Sequence, residues 1–324
     1  MTIGDMNDVV LGVDIGGTNT KLGYIDHLGR CLASASISTD ADQPAKLFFS
    51  RLQQCAKELH KSLHGHNLVG IGIGAPNANF RKGTIEHPPN LSWDYVDVPA
   101  ELQGYFSVPV AVTNDANAAA LGEMLFGAAQ GMKDFIVITL GTGLGSGIVS
   151  NGELLYGADG FAGEIGHTIV DPNGRLCGCG KRGCLETYCS ATGLVRTVQE
   201  LFCNSTEPSR LRAVSFQQLT SEMVFEAAHQ GDKLAAQAFE HTGHILGMKL
   251  ADSVAHLSPE AIILFGGLAT AGELIFAPTQ RSLEAHLFPI FRNKVKLLPS
   301  KLTEANVAVL GAGALIWDFL AKNK

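Results

Sequence analysis

No run of this sequence approaches the roughly 20 apolar residues that a membrane helix needs; FIVITL and AIILF are each cut short by glycine. A basic leader and a small-residue cleavage site are also missing. The opening MTIGDMNDVVLGVDIGG holds only a strand-length apolar run that ends in glycines, so a cytoplasmic location is expected. Positive charge is in short supply, with 24 Lys and Arg against 31 Asp and Glu. The net charge of −7 disfavours nucleic acid and anionic membrane as partners, because binding to either relies on cations that neutralise phosphates. Small molecules are the expected ligands. Charged residues make up 17% and hydrophobic ones 46%, a globular composition that excludes a disordered tail or a fibrous repeat. Two of the common nucleotide-binding signatures are absent as well: no G-x-G-x-x-G opens a helix, which excludes a nicotinamide-type dehydrogenase, and no P-loop is present.

The 324 residues suffice for two domains that each bury a core. The stretch VVLGVDIGGTNTKLGYIDHLGRCLASASI reads as three strands joined by a glycine turn and a Leu-Gly turn. Helical spacing over residues 43–64 is followed by a strand in LVGIGIGAP and another in VPVAVTND, which runs straight into the helix-forming ANAAALGEMLFGAA. A second strand, glycine turn, strand unit appears at FIVITLGTGLGSGIVSNGELLYG, about 120 residues after the first. This weak repeat predicts two related α/β halves. Later segments are mostly helical: Leu246, Leu250, Val254 and Leu257 share one face and are assigned to a core. A strand at AIILFGG and a short amphipathic helix at GAGALIWDFLAKNK complete the pattern.

Four stretches carry candidate chemistry. DIGGTNTK (residues 14–21) and LGTGLGSG (140–147) are glycine turns between strands, where backbone N–H groups can cradle phosphate oxygens; each also reads as an ordinary tight turn. In TNDANAAA, Asp115 stands where a strand meets a helix. It is either a helix cap or a general base for a substrate hydroxyl, with the helix N-terminus favouring its ionised form. Finally, His167, Cys177, Cys179 and Cys184 give an H-x9-C-x-C-x4-C pattern, a ligand set suited to tetrahedral, structural zinc. An odd total of seven cysteines in a reducing compartment disfavours a disulfide framework, and without a C-x-x-C a redox centre is disfavoured too. Cys31, Cys55, Cys189 and Cys203 are read as buried thiols.

With DIGGTNTK, TNDANAAA, LGTGLGSG, GEIGH, CGCGKRGCLE and FGG in this order, the sequence closely resembles the ROK family (repressors, open reading frames and sugar kinases) of the hexokinase and actin-like ATPase superfamily. The resemblance runs essentially end to end. It implies a two-domain actin-like ATPase (ribonuclease H-like) α/β fold with a zinc-stabilised loop, divided as residues 1–116 plus a C-terminal helix 309–324 that packs back on them, and 117–308, with the active site in the cleft between them. It implies Asp115 as catalytic base. Asn90, Asn114, Glu164, His167 and Glu186 would bind sugar hydroxyls, while Asp14, Gly16, Gly17, Thr18, Thr142, Gly143, Gly266 and Gly267 would line the nucleotide side. Asn90 is included because HPPNLSW is similar to a stretch of the family's glucokinases. Many members carry Lys directly after D-I-G-G-T where this chain has Asn19, and the nearest basic residue is Lys21. The expected activity is ATP- and Mg²⁺-dependent phosphorylation of a hexose, glucose first and N-acetylglucosamine or N-acetylmannosamine as alternatives, by a homodimer with structural Zn²⁺. The family also contains sugar-sensing repressors with a helix-turn-helix, for which about eight residues before the first strand are too few.

Overall fold

A computed structural model of the chain describes residues 5–302 and 307–323. The start of the opening stretch read for a leader falls on residues 1–4, outside the described residues. The chain divides into two compact units. One comprises the chain through Met132, with Glu153–Ala162 and the segment from Ser300 onward; the other comprises Lys133–Gly152 and Gly163–Pro299.

In the first unit, strands β1 (Asp8–Ile15), β2 (Asn19–Asp26) and β3 (Cys31–Ser38) form an antiparallel meander. Helix α1 (Ala45–Lys61) leads to β4 (Asn67–Gly74), which lies parallel to β1. A small sheet of β5 (Ala78–Asn79), β6 (Thr84–Glu86) and β7 (Tyr95–Asp97) and the short helix α2 (Val98–Leu102) precede β8 (Val110–Thr113), which pairs in parallel with β4. The main sheet therefore runs β3-β2-β1-β4-β8. Helix α3 (Asp115–Phe126) follows β8 directly.

Both faces of β1 are covered, as its nearly continuous apolar run requires. Leu11, Val13 and Ile15 join Phe48, Phe49, Leu52 and Trp93 in one apolar core. On the other face the C-terminal helix, Val307–Lys322, approaches the sheet backbone closely enough that a Cβ at Gly72 would lie 1.8 Å from the Ala312 carbonyl oxygen. The same helix meets α3, where Gly311 stands against the Ala118 carbonyl. Residues Val309 to Trp317 are all buried, so this helix is apolar around its circumference, whereas the sequence pattern reads as amphipathic. Being enclosed between a sheet and a helix is the reason. That contact also draws α3 into the first unit, moving the first boundary from the expected 116/117 to Met132.

The second unit repeats the plan. Strands β9 (Phe135–Leu140) and β10 (Leu144–Ser150) form an antiparallel hairpin, and Ala261–Phe265 and then Lys296–Pro299 extend the sheet in parallel beyond β9. Four helices, Ala191–Asn204, Ser221–His229, Lys233–Leu257 and Glu273–His286, supply its separate core. Leu246, Leu250 and Val254 are fully buried there, with Leu257 packed at the margin. Of the thiols read as buried, Cys189 is buried, Cys31 and Cys55 are intermediate, and Cys203 is exposed because it occupies the solvent side of the last turn of Ala191–Asn204. Among the described residues no helix is long and apolar enough to cross a membrane.

Gly72→Ala should lower stability by about 1–3 kcal/mol, the usual range for forcing atoms into a filled core; urea unfolding monitored by circular dichroism measures it, and an unchanged midpoint would refute the close packing.

Candidate functional site

The two hairpins turn in the same way. Gly16-Gly17-Thr18 links β1 to β2, and Gly141-Thr142-Gly143 links β9 to β10. The first turn is closed by Gly16 N–H donating to Asn19 O at 3.2 Å and is pinned by Thr39, whose hydroxyl donates to Gly16 O at 2.7 Å and whose N–H donates to Thr18 O at 2.9 Å. The second is closed by Gly141 N–H to Gly143 O at 3.0 Å. Neither turn uses glycine for a positive φ. Space is the reason: a Cβ at Gly17 would lie 2.9 Å from Asn90 Cβ, and one at Gly143 only 2.3 Å from Glu186 Oε2.

In the first unit, parallel pairing sets Asp14 beside Gly74 and Gly74 beside Thr113, and the chain then turns through Asn114 into α3 at Asp115. A Cβ on Gly74 would be 3.9 Å from both Asp14 Oδ1 and Asp115 Cα. Asp14 and Asp115 therefore flank one glycine. Burial, followed by the nearby negative charge of Asp115, pushes the Asp14 carboxyl up to about 6; Lys21, opposite Asp14 in the β1–β2 register, opposes that rise. Burial also raises Asp115, against a hydrogen bond from Ala116 N–H to Oδ1 at 2.9 Å. The helix N-terminus thus does not keep Asp115 at an ordinary acidity, as its position in the sequence suggests. Desolvation outweighs the N–H groups. Asn114 is the cap of α3, its Oδ1 accepting from Asn117 N–H at 2.7 Å. Asn90 is exposed against Gly17, with Leu91 and Trp93 anchoring HPPNLSW in the core and the Trp93 indole donating to Gln43 O at 3.1 Å.

In the second unit, Glu186 closes on the turn: Leu144 N–H donates to its Oε2 at 3.0 Å. The start of helix Ala191–Asn204 holds the same turn, through Ala191 N–H to Gly141 O at 2.9 Å and the Thr192 hydroxyl to Thr142 O at 2.8 Å. Gly266 and Gly267 follow strand Ala261–Phe265, and a Cβ at Gly266 would be 2.7 Å from Leu140 O, beside that turn. Ser146 on β10 holds the GEIGH segment, its hydroxyl donating to Gly163 O and accepting from Ile165 N–H, so exposed Glu164 is carried on a fixed backbone.

The ligand atoms of His167, Cys177, Cys179 and Cys184 all lie within 4.8 Å of one another. His167 Nδ1 is 3.7 Å from Cys177 Sγ, and the Cys179 and Cys184 sulfurs are 3.6 Å apart. Tetrahedral zinc, with bonds of about 2.3 Å to sulfur and about 2.0 Å to nitrogen, sets its ligand atoms roughly 3.5–3.8 Å apart. The donor set fits that ion. Glu186 follows Cys184 by two residues, and Cys177 Sγ also reaches Glu186 Oε1 at 3.6 Å, so the cluster and the carboxylate are one structure. One contributor carries no signal in the sequence: Arg175 is buried and bound to Glu200.

Residues 10–318 match the sequence model of the ROK family. The chain belongs to the ROK family. This ROK chain is 37% identical to a glucokinase of Halalkalibacterium halodurans, over 94% of both chains. It is 30% identical to a xylose repressor of Caldicellulosiruptor bescii, over 95% of this chain and 77% of the repressor. Its fold is similar to that of a crystal structure of a ROK family glucokinase from Streptomyces griseus in complex with glucose and AMPPNP, with a TM-score of 0.79 and 34% identity over 95% of this chain and 98% of that one. The actin-like ATPase fold is accordingly that of the ROK proteins.

Two outcomes test this geometry. A carboxyl raised to about 6 in the folded chain favours its protonated form there, so its contribution to stability is lost as pH rises from about 4 through 6. Asp14→Asn should flatten that part of the stability profile in urea unfolding, and an identical profile would refute the raised carboxyl. Cys179→Ser should lower zinc from one per chain to a small fraction by atomic emission, whereas full zinc would remove Cys179 from the ligand set.

Proposed function

We propose that this ROK chain is an ATP-dependent hexose kinase that transfers the γ-phosphoryl group to the 6-hydroxyl of glucose, with Asp115 as general base. The observation that carries the reading is the carboxylate pair at the strand ends: Asp115, made more basic by burial, stands beside Asp14, which itself leads into the turn Gly16-Gly17-Thr18. The likeness to the glucokinases supports a hexose as acceptor and ATP as donor.

The Asp115 carboxylate accepts the proton of the sugar hydroxyl as its oxygen attacks the γ-phosphorus, and ADP departs with the electrons of the broken P–O bond. Phosphoryl transfer has a loose transition state, so orientation and charge neutralisation do most of the work. A carboxylate raised by burial is better matched to this proton than a free aspartate. Asn114, whose Oδ1 is engaged by α3, offers its amide N–H groups to the sugar; Asn90 does so from beside Gly17. Glu164 and Glu186 accept hydrogen bonds from the hydroxyls, while His167, whose Nδ1 faces the thiols, donates Nε2–H to a sugar oxygen. The N–H groups of Gly16, Gly17, Thr18, Thr142, Gly143, Gly266 and Gly267 are assigned to the phosphates and the nucleotide. Asp14 would bind the magnesium of the MgATP substrate. His167, Cys177, Cys179 and Cys184 would hold a structural zinc that would fix the backbone carrying Glu186, apart from the transfer itself.

A coupled ADP-release assay with MgATP against glucose, N-acetylglucosamine, N-acetylmannosamine, mannose, fructose and allose tests the reading. Glucose should be preferred; an N-acetylated sugar would replace the substrate and keep the mechanism, and no turnover on any sugar would favour a sugar sensor like the repressor relatives. Asp115→Asn should lower kcat by about 10²–10⁴ with glucose binding retained in calorimetry. Near-normal kcat would remove Asp115 as base.

A further inference from the structure

We propose that Arg175 is a positioning residue for the sugar-binding carboxylate of Glu186, a second clamp on that segment that works independently of the metal. The proposal rests on the hexose kinase reading for its functional consequence.

Arg175 is only 7% exposed, and all five of its guanidinium N–H groups are used. Nε and Nη2 form a bidentate pair with Glu200 at 2.8 and 2.6 Å. Nη1 donates to the carbonyls of Thr187 at 2.6 Å and Gly193 at 3.1 Å, and Nη2 also donates to the Thr197 hydroxyl at 2.9 Å. The guanidinium carbon stands 4.4 Å from the centre of the Tyr188 ring. Its own backbone joins the arrangement, with N–H donating to Tyr188 Oη at 3.2 Å and the carbonyl accepting from Gly183 N–H at 2.8 Å. Removing a guanidinium from water is costly and is compensated only when every donor is met. A single side chain therefore ties three pieces together: the loop before Cys177, the turn that carries Glu186, and the first turns of helix Ala191–Asn204.

Glu186 stands between the two holding points. Cys184, two residues before it, belongs to the zinc ligand set, and the carbonyl of Thr187, one residue after it, belongs to Arg175. With only the metal side intact, the backbone after Glu186 loses its charged anchor, and its carboxylate drifts from Leu144 N–H. A hydroxyl acceptor binds ground state and transition state alike, so such drift raises KM for sugar far more than it lowers kcat. Outer partners that orient a binding group typically contribute about ten- to a hundredfold.

Arg175→Met, Arg175→Lys and Glu200→Gln are purified with zinc and assayed with glucose and MgATP. The expected result is one zinc per chain, a glucose KM about ten- to a hundredfold higher in Arg175→Met, and much smaller changes in kcat and in KM for ATP. Lys reaches Glu200 without the planar fork and so should not restore KM; Glu200→Gln, which keeps the shape of the anchor, should raise KM less. A glucose KM within about twofold of the parent in zinc-loaded Arg175→Met overturns the proposal, as does the same result in Glu200→Gln if Arg175→Met does not fold. If the parent chain phosphorylates no sugar, the kinase reading fails on its own account and hydrogen exchange decides the clamp: faster exchange of the amides of residues 185–188 in Arg175→Met or Glu200→Gln, with those of 177–184 unchanged, supports it, and parental exchange overturns it.

Discussion

Parallel hydrogen bonding among β1, β4 and β8 is the constraint on which the chemistry of the first unit depends. Parallel strands end together, so the residues that leave their carboxyl ends converge although they are distant in sequence. Asp14 and Asp115 are about a hundred residues apart in the chain and become neighbours across Gly74 only because the registers of two strand pairs agree. Burial then raises both carboxyls, and the charge of Asp115 raises Asp14 further. A buried carboxyl beside a second carboxyl resists ionisation, and Lys21 from β2 offers partial compensation.

The second unit uses the same strand plan with different chemistry at its end. Its hairpin turn lies against a carboxylate brought by a loop, not by a neighbouring strand, and that loop has almost no regular structure to hold it. Two isolated bridges, Ile169 with Cys184 and Leu176 with Arg182, are all the strand pairing it possesses. Its rigidity comes instead from concentrated polar links: a four-residue cluster fit for zinc on one side and a fully engaged guanidinium on the other. Glycine at 143 belongs to the same solution, since any side chain there would take the space of the Glu186 carboxylate.

Glycine also explains how the C-terminal helix can be enclosed. Gly12 and Gly72 in the sheet meet the carbonyls of Val309 and Ala312, and Gly311 meets α3, so backbones pack where side chains would ordinarily intervene. A helix gripped this closely has no solvent face to speak of along Val309–Trp317, and a periodicity argument that looks for a polar side misreads it. The same contact decides to which unit α3 belongs.

Much of this protein was legible in local patterns, because turns, strand runs and metal-ligand spacings are short-range matters. The glycine turns, the strand-to-helix junction at Asp115, the repeated strand plan and the H-x9-C-x-C-x4-C spacing all stand in the sequence. What no window of residues could carry were properties that depend on what surrounds a group. The direction of the Asp115 acid strength reversed once burial was weighed against the helix N-terminus. Arg175, one cation in a loop of cations, acquired its place only when Glu200 and the carbonyls of Thr187 and Gly193 closed around it. Desolvation and hydrogen-bond satisfaction are sums over neighbours in space, and the tertiary fold alone decides who those neighbours are.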